Sequence, residues 1–451
     1  MPPPAYPEAV AALAARGRFG IHLGLGRIRA LLAALGDPQA GMRGALIAGT
    51  NGKGSVQALC GAMLLAAGHR VGQTPKPHLV EYRERIVVDG EPIAPDDMGG
   101  LLGRVLDVAE RVPRRLGPPT EFEVVTAAAF AWFAARGVDV AVVEVGLGGR
   151  LDATNAWDGG VAAVTNVAMD HAEVLGSTIP AIAREKAAIL KRGDRAVTGA
   201  TGDALSVVRR RARRLGIPLR EVGSLPVLGM DRDGLRVEVP GVGEVGMRLL
   251  GRHQARNAAV ALAIVDELEA AGIATVGPGA RRAGMERATW PGRLELVEVP
   301  AAGRPPVDVL LDGAHNPDGI RVLLDALGEL RPSLAGGTPT LVLAIMRDKD
   351  VTSMLEALAA DPVLRGARLV ATRVGERGLA APVLASRFDD ARRAGGGPRA
   401  LEPSAAIDDP IEAFDAALGR AAAEGGPVIV AGSLYLVGAM RGALQRRGLV
   451  R

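Results

Sequence analysis

The residues best suited to chemistry lie between Ile47 and Ser55, where an apolar run leads into glycines, a lysine and a serine. Glycines allow backbone N–H groups to surround phosphate oxygens, and the N-terminus of a following helix attracts anions. In such loops a lysine, here Lys53, reaches the terminal phosphates, and a hydroxyl residue, here Ser55, can ligate Mg²⁺. Gly54 separates these two residues, which departs from the strict Walker spacing. The segment predicts a binding site for a nucleoside triphosphate.

Two further segments place polar side chains directly after apolar runs. Glu144 lies at the end of one run, and a carboxylate at the end of a buried strand is costly without a partner. Mg²⁺ beside bound phosphates would be such a partner, although a structural role for Glu144 is equally compatible with the sequence. Asp170 and His171 follow a later strand, on the side of an open α/β sheet that usually binds ligands. His171 is therefore either a metal ligand or an ordinary hydrogen-bonded histidine.

Lysine is scarce, because only five of the 54 Lys and Arg residues are lysines: Lys53, Lys76, Lys186, Lys191 and Lys349. A lysine can deprotonate and act as an amine, whereas an arginine stays protonated. Lys186 lies in an Ala- and Ile-rich helical segment, where it is either an ordinary surface lysine or one whose amine is needed. The scarcity favours a functional role for each retained lysine.

These residues need a scaffold, and 451 residues are enough for two large domains. In residues 1–294, short β-branched runs alternate with Ala- and Leu-rich segments, which predicts a mostly parallel sheet covered by helices. The predicted strands are Ala45–Ala48, Val138–Val145, Val161–Val164 and Ala196–Thr198, and the predicted helices are Gly54–Ala67, Glu121–Ala135, Ile179–Leu190 and Asp203–Leu215. Short alternating runs near 222–249 predict a small antiparallel β addition.

The alternation of strands and helices restarts after a Pro- and Gly-rich stretch at 300–306, so residues 295–451 are predicted to form a smaller α/β domain. Its predicted strands are Val307–Leu311, Thr340–Ile345, Arg368–Ala371 and Val428–Ala431. The predicted fold class is α/β, with two sheet domains joined near residue 295.

Composition excludes several other classes of protein. Hydrophobic residues make up 48% of the chain and charged residues 23%, which is typical of soluble globular proteins. Aromatic residues are only 3%, which argues against stacking platforms for single-stranded nucleic acid, and the basic run 209–214 reads as a solvated helix face. No apolar stretch is long enough to span a membrane and no secretion signal is evident, while the single Cys60 forms no internal disulfide. A cytoplasmic protein that binds neither nucleic acid nor membrane is expected.

Eight segments together resemble the folylpolyglutamate synthase/dihydrofolate synthase family of the Mur ligase superfamily. They are Gly49–Ser55, Glu144–Asn155, Asp170-His171, Glu185-Lys186-Ala187, Gly251–Gln254, Trp290–Arg293, Asp312–Pro317 and Gly432–Tyr435. The resemblance covers essentially the whole chain. It implies a P-loop-containing central domain of the Mur ligase type and a Rossmann-like C-terminal domain.

The resemblance also implies an activity, namely an ATP-dependent ligase that joins L-glutamate to dihydropteroate or to a folate's glutamate tail through an acyl phosphate. The implied ATP-binding residues are Asn51, Gly52, Lys53, Gly54, Ser55, Asn257, Arg293, Asp312 and His315. Ser55, Glu144 and His171 are the implied Mg²⁺ ligands, and Lys186 matches a lysine that is carbamylated. Lys53, Glu144, His171 and Lys186 are thus the predicted catalytic residues.

A separate set of residues matches the family's pocket for the acid substrate. The set comprises Leu25, Arg27, His78, Arg85, Thr120, Phe122, Glu123, Leu151, Asp152 and Ala153. Phe122 would offer an aromatic face to the pterin, and Asp152 would accept hydrogen bonds from its amino-pyrimidine edge. The resemblance implies that the partners are small-molecule substrates and that the enzyme is a monomer.

Lys76 departs from the family pattern. The family usually has Tyr-Thr-Ser-Pro-His-Leu, with the serine ligating magnesium, where this chain has Thr74-Pro75-Lys76-Pro77-His78-Leu79. Lys76 could swing to solvent, could place its ammonium where a second Mg²⁺ would sit, or could mark a branch with an altered acid substrate or weakened activity. We favour the second alternative, because a lysine retained in a lysine-poor chain is expected to have a role.

Other functions stay open beside the folate ligase. The chain could be a Mur-type ligase for a different carboxylate, a weakly active paralogue, or a catalytically silent nucleotide-binding or scaffold protein. A kinase or GTPase is disfavoured, because the loop lacks the strict Walker spacing.

Overall fold

The computed structural model describes residues 4–19, 22–395 and 402–450. The chain divides into two compact units. The first contains residues 1–226, 238–245 and 255–288, and the second contains residues 227–237, 246–254 and 289–451. This division places two short pieces of the middle segment in the second unit, whereas a single boundary near residue 295 is expected from the sequence.

Among its described residues, the first unit contains eight strands and ten α-helices, except that the first two residues of α9 belong to the second unit. The strands are β1 (Gly44–Ala48), β2 (Val71–Thr74), β3 (Val87–Val88), β4 (Glu91–Pro92), β5 (Val140–Glu144), β6 (Gly160–Val164), β7 (Arg195–Thr198) and β8 (Leu219–Glu221). The helices are α1 (Tyr6–Ala14), α2 (Gly26–Ala34), α3 (Lys53–Ala66), α4 (Pro95–Ala109), α5 (Glu121–Ala135), α6 (Ala172–Leu175), α7 (Ile179–Ala187), α8 (Gly202–Leu215), α9 (His253–Ala270) and α10 (Pro278–Arg287).

The eight strands form one sheet in the order β4-β3-β2-β5-β1-β6-β7-β8. In this order across the sheet, every pairing between β2 and β8 is parallel. The pairings of β2 with β3 and of β3 with β4 are antiparallel. β1 and β5 are buried along their whole length, which explains why their sequences are apolar apart from Glu144 at the end of β5. Because parallel strands share one direction, the residues that follow β1, β2, β5 and β6 lie at the same edge of the sheet.

A three-stranded sheet with the order β11-β10-β9 follows in the chain. Its strands are β9 (Val227–Asp231), β10 (Gly234–Val239) and β11 (Gly243–Met247), and β9 pairs antiparallel with β10. The alternating burial along β10 matches its alternating apolar and polar residues. This is the small antiparallel addition that the sequence predicts near 222–249.

The second unit carries a six-stranded sheet in the order β12-β13-β17-β14-β15-β16. Its strands are β12 (Glu295–Ala301), β13 (Arg304–Leu311), β14 (Thr340–Leu343), β15 (Arg368–Ala371), β16 (Ala405–Ala406) and β17 (Val428–Ala431). Its helices are α11 (Pro317–Leu330), α12 (Val351–Ala360), α13 (Ala381–Ala394), α14 (Pro410–Glu424) and α15 (Leu434–Arg446). All pairings are parallel except β12 with β13, so this unit is also of the α/β class.

Sequence patterns miss several strands, and one of them, β2, lies at the candidate site. β2 has the sequence Val-Gly-Gln-Thr, whose polar and glycine residues do not resemble a buried strand. Gly72 is required because a Cβ there would lie 2.9 Å from the Phe133 ring, and the Gln73 amide donates to Gln57 O at 3.0 Å. The stretch at 300–306, interpreted from sequence as a Pro- and Gly-rich break, instead contains the end of β12, a two-residue turn and the start of the antiparallel strand β13.

In the part of the chain that the structure describes, no helix combines the length and apolar character needed to cross a bilayer.

Trp157 fixes the loop before β6 to the core of the first unit. Its ring is 1% exposed and lies 5.6 Å from the Phe130 ring, and its indole Nε1–H donates to Met42 O at 3.0 Å. Trp157→Phe keeps most of the apolar contact but leaves that carbonyl unpaired. We expect the free energy of unfolding of this unit to fall by about 1–3 kcal/mol, measured by urea denaturation. The control Trp132→Phe changes a half-buried ring beside Arg136 and should cost clearly less, whereas equal losses would contradict this role of Trp157.

Candidate active site

The loop between β1 and α3, residues 49–52, is held by hydrogen bonds to the segment that follows β6. Thr50 N donates to Asn166 O at 3.1 Å, and Asn51 N donates to the side-chain Oδ1 of Asn166 at 2.8 Å. In return, Thr165 Oγ1 donates to Asn51 O at 2.7 Å. These bonds join two neighbouring parallel strands and fix the loop in a defined shape at the N-terminus of α3.

Gly52 provides the sharp turn into α3. It adopts a left-handed conformation with φ of 82°, which glycine tolerates at little cost. A Cβ at this position would overlap the Asn257 amide, which lies in α9 in the same unit. The structure therefore brings Asn257, predicted to contact the nucleotide, directly against the loop.

Lys53 begins α3 and folds back over the loop. Its Nζ donates to Gly49 O at 3.1 Å and to Thr50 O at 3.2 Å, and it lies 3.9 Å from Glu144 Oε1. Glu144 ends β5 and is 4% exposed, and its backbone N–H donates to Thr74 Oγ1 at 3.1 Å. Ser55, in the first turn of α3, is also 4% exposed. A lysine, a carboxylate and a helix N-terminus thus gather at one edge of the sheet.

Lys186 is buried in α7, with an exposed fraction of 5%, and it is not the surface lysine that the sequence left open. Its Nζ donates to Gly49 O at 2.8 Å, the same carbonyl that Lys53 contacts. Burial, together with the nearby positive charge of Lys53, lowers the pKa of Lys186 to about 7. A substantial fraction of this side chain is therefore a neutral amine near neutral pH.

His171 lies at the start of α6, with a left-handed backbone φ of 50°. Its side chain is 43% exposed, and its Nε2 lies 3.8 Å from Asp170 Oδ2. Its predicted role as a metal ligand stays a prediction.

The N-terminus of α5 carries the first part of the predicted acid-substrate pocket. Thr120 caps the helix, and the Glu123 carboxylate accepts from Thr120 N at 2.8 Å and from Arg27 Nε at 3.0 Å. Glu123 is 3% exposed, so Arg27 supplies the positive charge that its buried carboxylate needs. The structure thus brings Arg27 against Glu123, which lies 96 positions later in the sequence.

Asp152 organises the glycine loop after β5. Its Oδ2 accepts from Gly146 N at 3.0 Å and Leu147 N at 2.9 Å, and its Oδ1 accepts from Thr154 N at 3.0 Å and Thr154 Oγ1 at 2.6 Å. A carboxylate has about four lone-pair sites, so the chain itself already engages this group fully. The geometry supports a loop-organising role, and direct contact of Asp152 with a pterin stays a prediction.

Four further residues that are predicted to contact the acid substrate lie around this loop: Leu25, Phe122, Leu151 and Ala153. Gly24 N donates to Leu151 O at 3.4 Å, which places the segment containing Leu25 beside the glycine loop. Leu25 packs against the core of the unit, and Ala153 is 4% exposed. Phe122 lies close to Gly146, where a Cβ would be 2.6 Å from the Phe122 ring.

His78 and Arg85, the two other predicted pocket residues, form a polar cluster with Tyr82 and Glu121. Arg85 Nε donates to His78 Nδ1 at 2.8 Å, and its guanidinium lies 3.8 Å from Glu121 Oε1. Tyr82 stacks against His78, with ring centroids 4.3 Å apart, and its hydroxyl donates to Glu121 Oε1 at 3.0 Å. Burial first, and then the Arg85 charge, lower the pKa of His78 to about 4. His78 is therefore a neutral hydrogen-bond acceptor at neutral pH.

The second unit holds the other predicted nucleotide residues. Asp312 follows β13 and accepts from Leu294 N at 2.9 Å and from Ala314 N at 2.8 Å. Burial raises the pKa of Asp312, although the Arg293 charge opposes this shift. The His315 ring Nδ1 is paired with Gly313 O at 2.8 Å. The contact of Arg293, Asp312 and His315 with a nucleotide stays a prediction.

The predicted site residues do not include three residues that shape this site. Asn166 and Thr165 hold the phosphate loop, and Thr74 holds the backbone of Glu144. The available signal was the position of Thr165 and Asn166 directly after an apolar strand, at the edge where ligands bind. Thr74 carried no such signal, because β2 was not predicted.

Comparison with known protein families identifies the class of protein to which this fold and site belong. The Mur ligase middle domain matches residues 47–265, and the Mur ligase, glutamate ligase domain matches residues 292–434. Fold and site together define the chain as a Mur-type ligase, which confirms the predicted α/β fold class.

Individual relatives narrow the class. The dihydrofolate synthase/folylpolyglutamate synthase of Bacillus subtilis is 36% identical over 364 residues, covering 78% of this chain and 83% of that protein. The structure of Mycobacterium tuberculosis folylpolyglutamate synthase complexed with ADP has a TM-score of 0.84 at 33% identity, covering 97% of this chain and 98% of that one. E. coli FolC in complex with DHPP and ADP has a TM-score of 0.80 at 28% identity, covering 98% of each chain. The chain belongs to the folylpolyglutamate synthase/dihydrofolate synthase family.

One relative is much longer than this chain. The probable bifunctional folylpolyglutamate synthase/dihydropteroate synthase of Haloferax volcanii is 35% identical over 458 residues, which is 50% of its own length.

The low pKa of His78 can be measured by NMR. Because its folded-state pKa of about 4 lies below the ordinary value of 6.5, the unfolded chain binds more protons between these values. Stability from this site is complete above pH 6.5 and is lost as pH falls towards 4. We expect the His78 ring signals, assigned by their loss in His78→Gln, to stay constant from pH 8 to about 5.5. In Arg85→Met, removal of the positive charge should raise this pKa. A His78 titration midpoint between 6 and 7 in the unaltered protein would contradict the prediction.

Proposed function

We propose that this protein is an ATP-dependent amide ligase that joins L-glutamate to dihydropteroate, to folylpolyglutamate, or to both. The observation that carries the proposal is the placement of Lys53 over the 49–52 loop and beside the Glu144 carboxylate, at 3.9 Å. Relatives in its family are named for these two activities, and two solved relatives contain ADP.

The loop suits a nucleotide triphosphate for local reasons. The loop is held to the segment after β6 by hydrogen bonds from Asn51 N to Asn166 and from Thr165 to Asn51 O. Lys53 and the N-terminus of α3 supply positive charge, which stabilises the charge that develops when a phosphoryl group is transferred. ATP binding by this loop is thus supported by both geometry and family.

The family resemblance also implies Mg²⁺, and the donor set fits it. Among residues 4–19, 22–395 and 402–450, no group of three or more His, Cys, Asp or Glu side chains is arranged to hold a metal. A Mg²⁺ ion bound with a nucleotide usually takes only one or two carboxylates, together with phosphate oxygens. Glu144 and Ser55 offer a carboxylate and a hydroxyl, both hard oxygen donors, and His171 is the third proposed ligand. When bound, Mg²⁺ would neutralise charge on the phosphates.

The chain's own groups fit the proposed reaction in two steps. In the first, an oxygen of the substrate carboxylate forms a bond to the γ-phosphorus, and the bond from this phosphorus to ADP breaks. In the second, the amine nitrogen of glutamate bonds to the acyl carbon, phosphate leaves, and the amine loses a proton. Lys53 stabilises the transferring group in the first step, and Arg27, held by Glu123, shapes the pocket for the acid.

A second candidate is a Mur-type ligase for a different carboxylic acid. The observation that favours it is the ammonium of Lys76, which lies 4.0 Å from the centroid of the Phe122 ring. Phe122 is the residue whose face the resemblance assigns to the pterin, so an acid of another shape would be accommodated beside Lys76.

We also propose that the enzyme acts as a monomer in the cytoplasm. Cys60 is buried, and burial raises the pKa of its thiol, which keeps it unreactive in a reducing compartment. Size-exclusion chromatography with light scattering tests the monomer.

The function is tested by supplying ATP, L-glutamate and either dihydropteroate or tetrahydrofolate in separate reactions. We expect ADP release and a product extended by one glutamate with at least one of the two acids. Lys53→Met should lower kcat by about 10²–10³-fold, because the positive charge on the transferring group is lost. No ADP release with either acid would contradict the folate assignment. Release with other carboxylic acids alone would support the second candidate, and failure of every acid, together with failure to complement a folate-ligase-deficient strain, would support a silent scaffold.

We propose that Lys186 is carbamylated, because its buried amine has a pKa of about 7. Only the neutral amine reacts with CO₂: nitrogen bonds to the carbon, a proton leaves, and a carboxylate results. The neighbouring Lys53 charge would stabilise that product. Labelling with ¹³C-bicarbonate should give one carbamate NMR signal that grows as pH rises from 6 through about 8. Lys186→Arg should abolish the signal and Lys349→Met should retain it. Absence of the signal at pH 8, or its persistence in Lys186→Arg, would contradict the modification.

A further inference from the structure

Lys76 follows β2 and reaches across the edge of the sheet to β5. Its Nζ donates to the backbone oxygen of Glu144 at 2.9 Å. The same ammonium lies over the Phe122 ring, 4.0 Å from the centroid, within the range of a cation–π contact. Two independent contacts therefore hold the charge of Lys76 at one place.

The charges around Lys76 come from several elements. Asp152 and Glu144 are the carboxylates that attract it, and Arg85 and Lys53 are the cations that repel it. Two carboxylates and two ammonium groups, those of Lys53 and Lys76, thus lie around the carboxyl end of β5.

An ammonium group has three N–H donors. One donates to Glu144 O, and the Phe122 ring covers a second side. Within the described ranges, no further acceptor lies within hydrogen-bonding distance of Lys76 Nζ. One donor is thus available to an anionic oxygen of a ligand bound beside Glu144.

The position also explains why the residue is a lysine in an arginine-rich chain. A compact ammonium fits between a ring face and a carbonyl oxygen, whereas the planar guanidinium of arginine is larger and directs its donors in a fork. Of five lysines in the sequence, Lys53, Lys76 and Lys186 lie at this edge of the sheet.

We propose that Lys76 is a built-in cation of the acid-activating site, which supplies beside Glu144 the positive charge that a second divalent ion would otherwise supply. The inference rests on the ligase function proposed above. A protonated amine cannot ligate a metal, and its charge opposes the entry of another cation beside the same carboxylate. The enzyme therefore holds a single divalent ion, the one bound with the nucleotide, and Lys76 donates to an oxygen of the acid as it is phosphorylated.

The ion count tests this directly. Mn²⁺ is titrated into the full chain with saturating ADP or AMPPCP and counted by electron paramagnetic resonance. We expect one bound Mn²⁺ per chain in the unaltered protein. In Lys76→Ser, which restores an oxygen and removes the charge, a second and weaker Mn²⁺ site is expected. Two Mn²⁺ ions per chain in the unaltered protein would overturn the proposal, and this result needs no variant to fold.

Kinetics separate a charge role from a packing role. Lys76→Met keeps the length of the side chain but removes its charge, so we expect kcat to fall by about 10²-fold with the KM for ATP unchanged. High Mg²⁺ should partly restore the rate of Lys76→Ser but not that of Lys76→Met, since only serine provides an oxygen ligand. Equal rates in Lys76→Met and the unaltered enzyme would overturn the proposal.

Lys191→Met is the matched control. Lys191 Nζ also donates to a backbone oxygen, that of Trp157, at 2.6 Å, but it lies at the amino end of β6 and β7. The number of Mn²⁺ ions bound by Lys191→Met and the Mg²⁺ dependence of its rate should equal those of the unaltered protein. The number of Mn²⁺ ions bound with ADP does not depend on the acid substrate. Failure of the folate assay alone would therefore contradict the proposed substrate, while the Mn²⁺ count would still test the proposed role of Lys76.

Discussion

The arrangement of the site depends on the hydrogen bonds between the loop after β1 and the segment after β6. Asn51 N and Thr50 N are bonded to Asn166, and Thr165 bonds back to Asn51. Since β1 and β6 are adjacent parallel strands, these bonds continue the sheet beyond its last regular pair. The loop is therefore a rigid extension of the sheet, and Lys53 and the N-terminus of α3 take their positions from it.

Electrostatics at this edge are governed by a shared acceptor. Lys53 and Lys186 both donate to Gly49 O, so two ammonium groups would lie against one carbonyl. Their repulsion, added to the burial of Lys186, is relieved when Lys186 gives up its proton, which is the direction of its lowered pKa. Lys186, which is the more deeply buried of the two, is therefore the lysine with a substantial fraction of neutral amine near neutral pH.

Sequence patterns were sufficient where a strand is apolar throughout or a helix has a clear start. α5 and β17 have the predicted bounds, because Thr120 caps the helix and the strand is continuously apolar. β2 could not be predicted, since its Gly72 and Gln73 are explained only by Phe133 and Gln57, which lie elsewhere in the sequence. At the site, residue types identified Lys53 and Glu144. The partners of Asp152 and the burial of Lys186 follow from the fold, and no local pattern contains them.

Lys76 and Phe122 act together at the site. A tethered ammonium differs from a metal ion because it cannot dissociate and cannot gather oxygen ligands, so its effect depends entirely on where it is held. Phe122 and Glu144 O provide that position from two different elements, α5 and β5. In a chain with only six phenylalanines, one beside this ammonium has a physical reason: its ring face attracts the cation without adding a negative charge that would compete with a phosphate. Phe122 thus orients the charge of Lys76 while leaving it available to an anionic ligand.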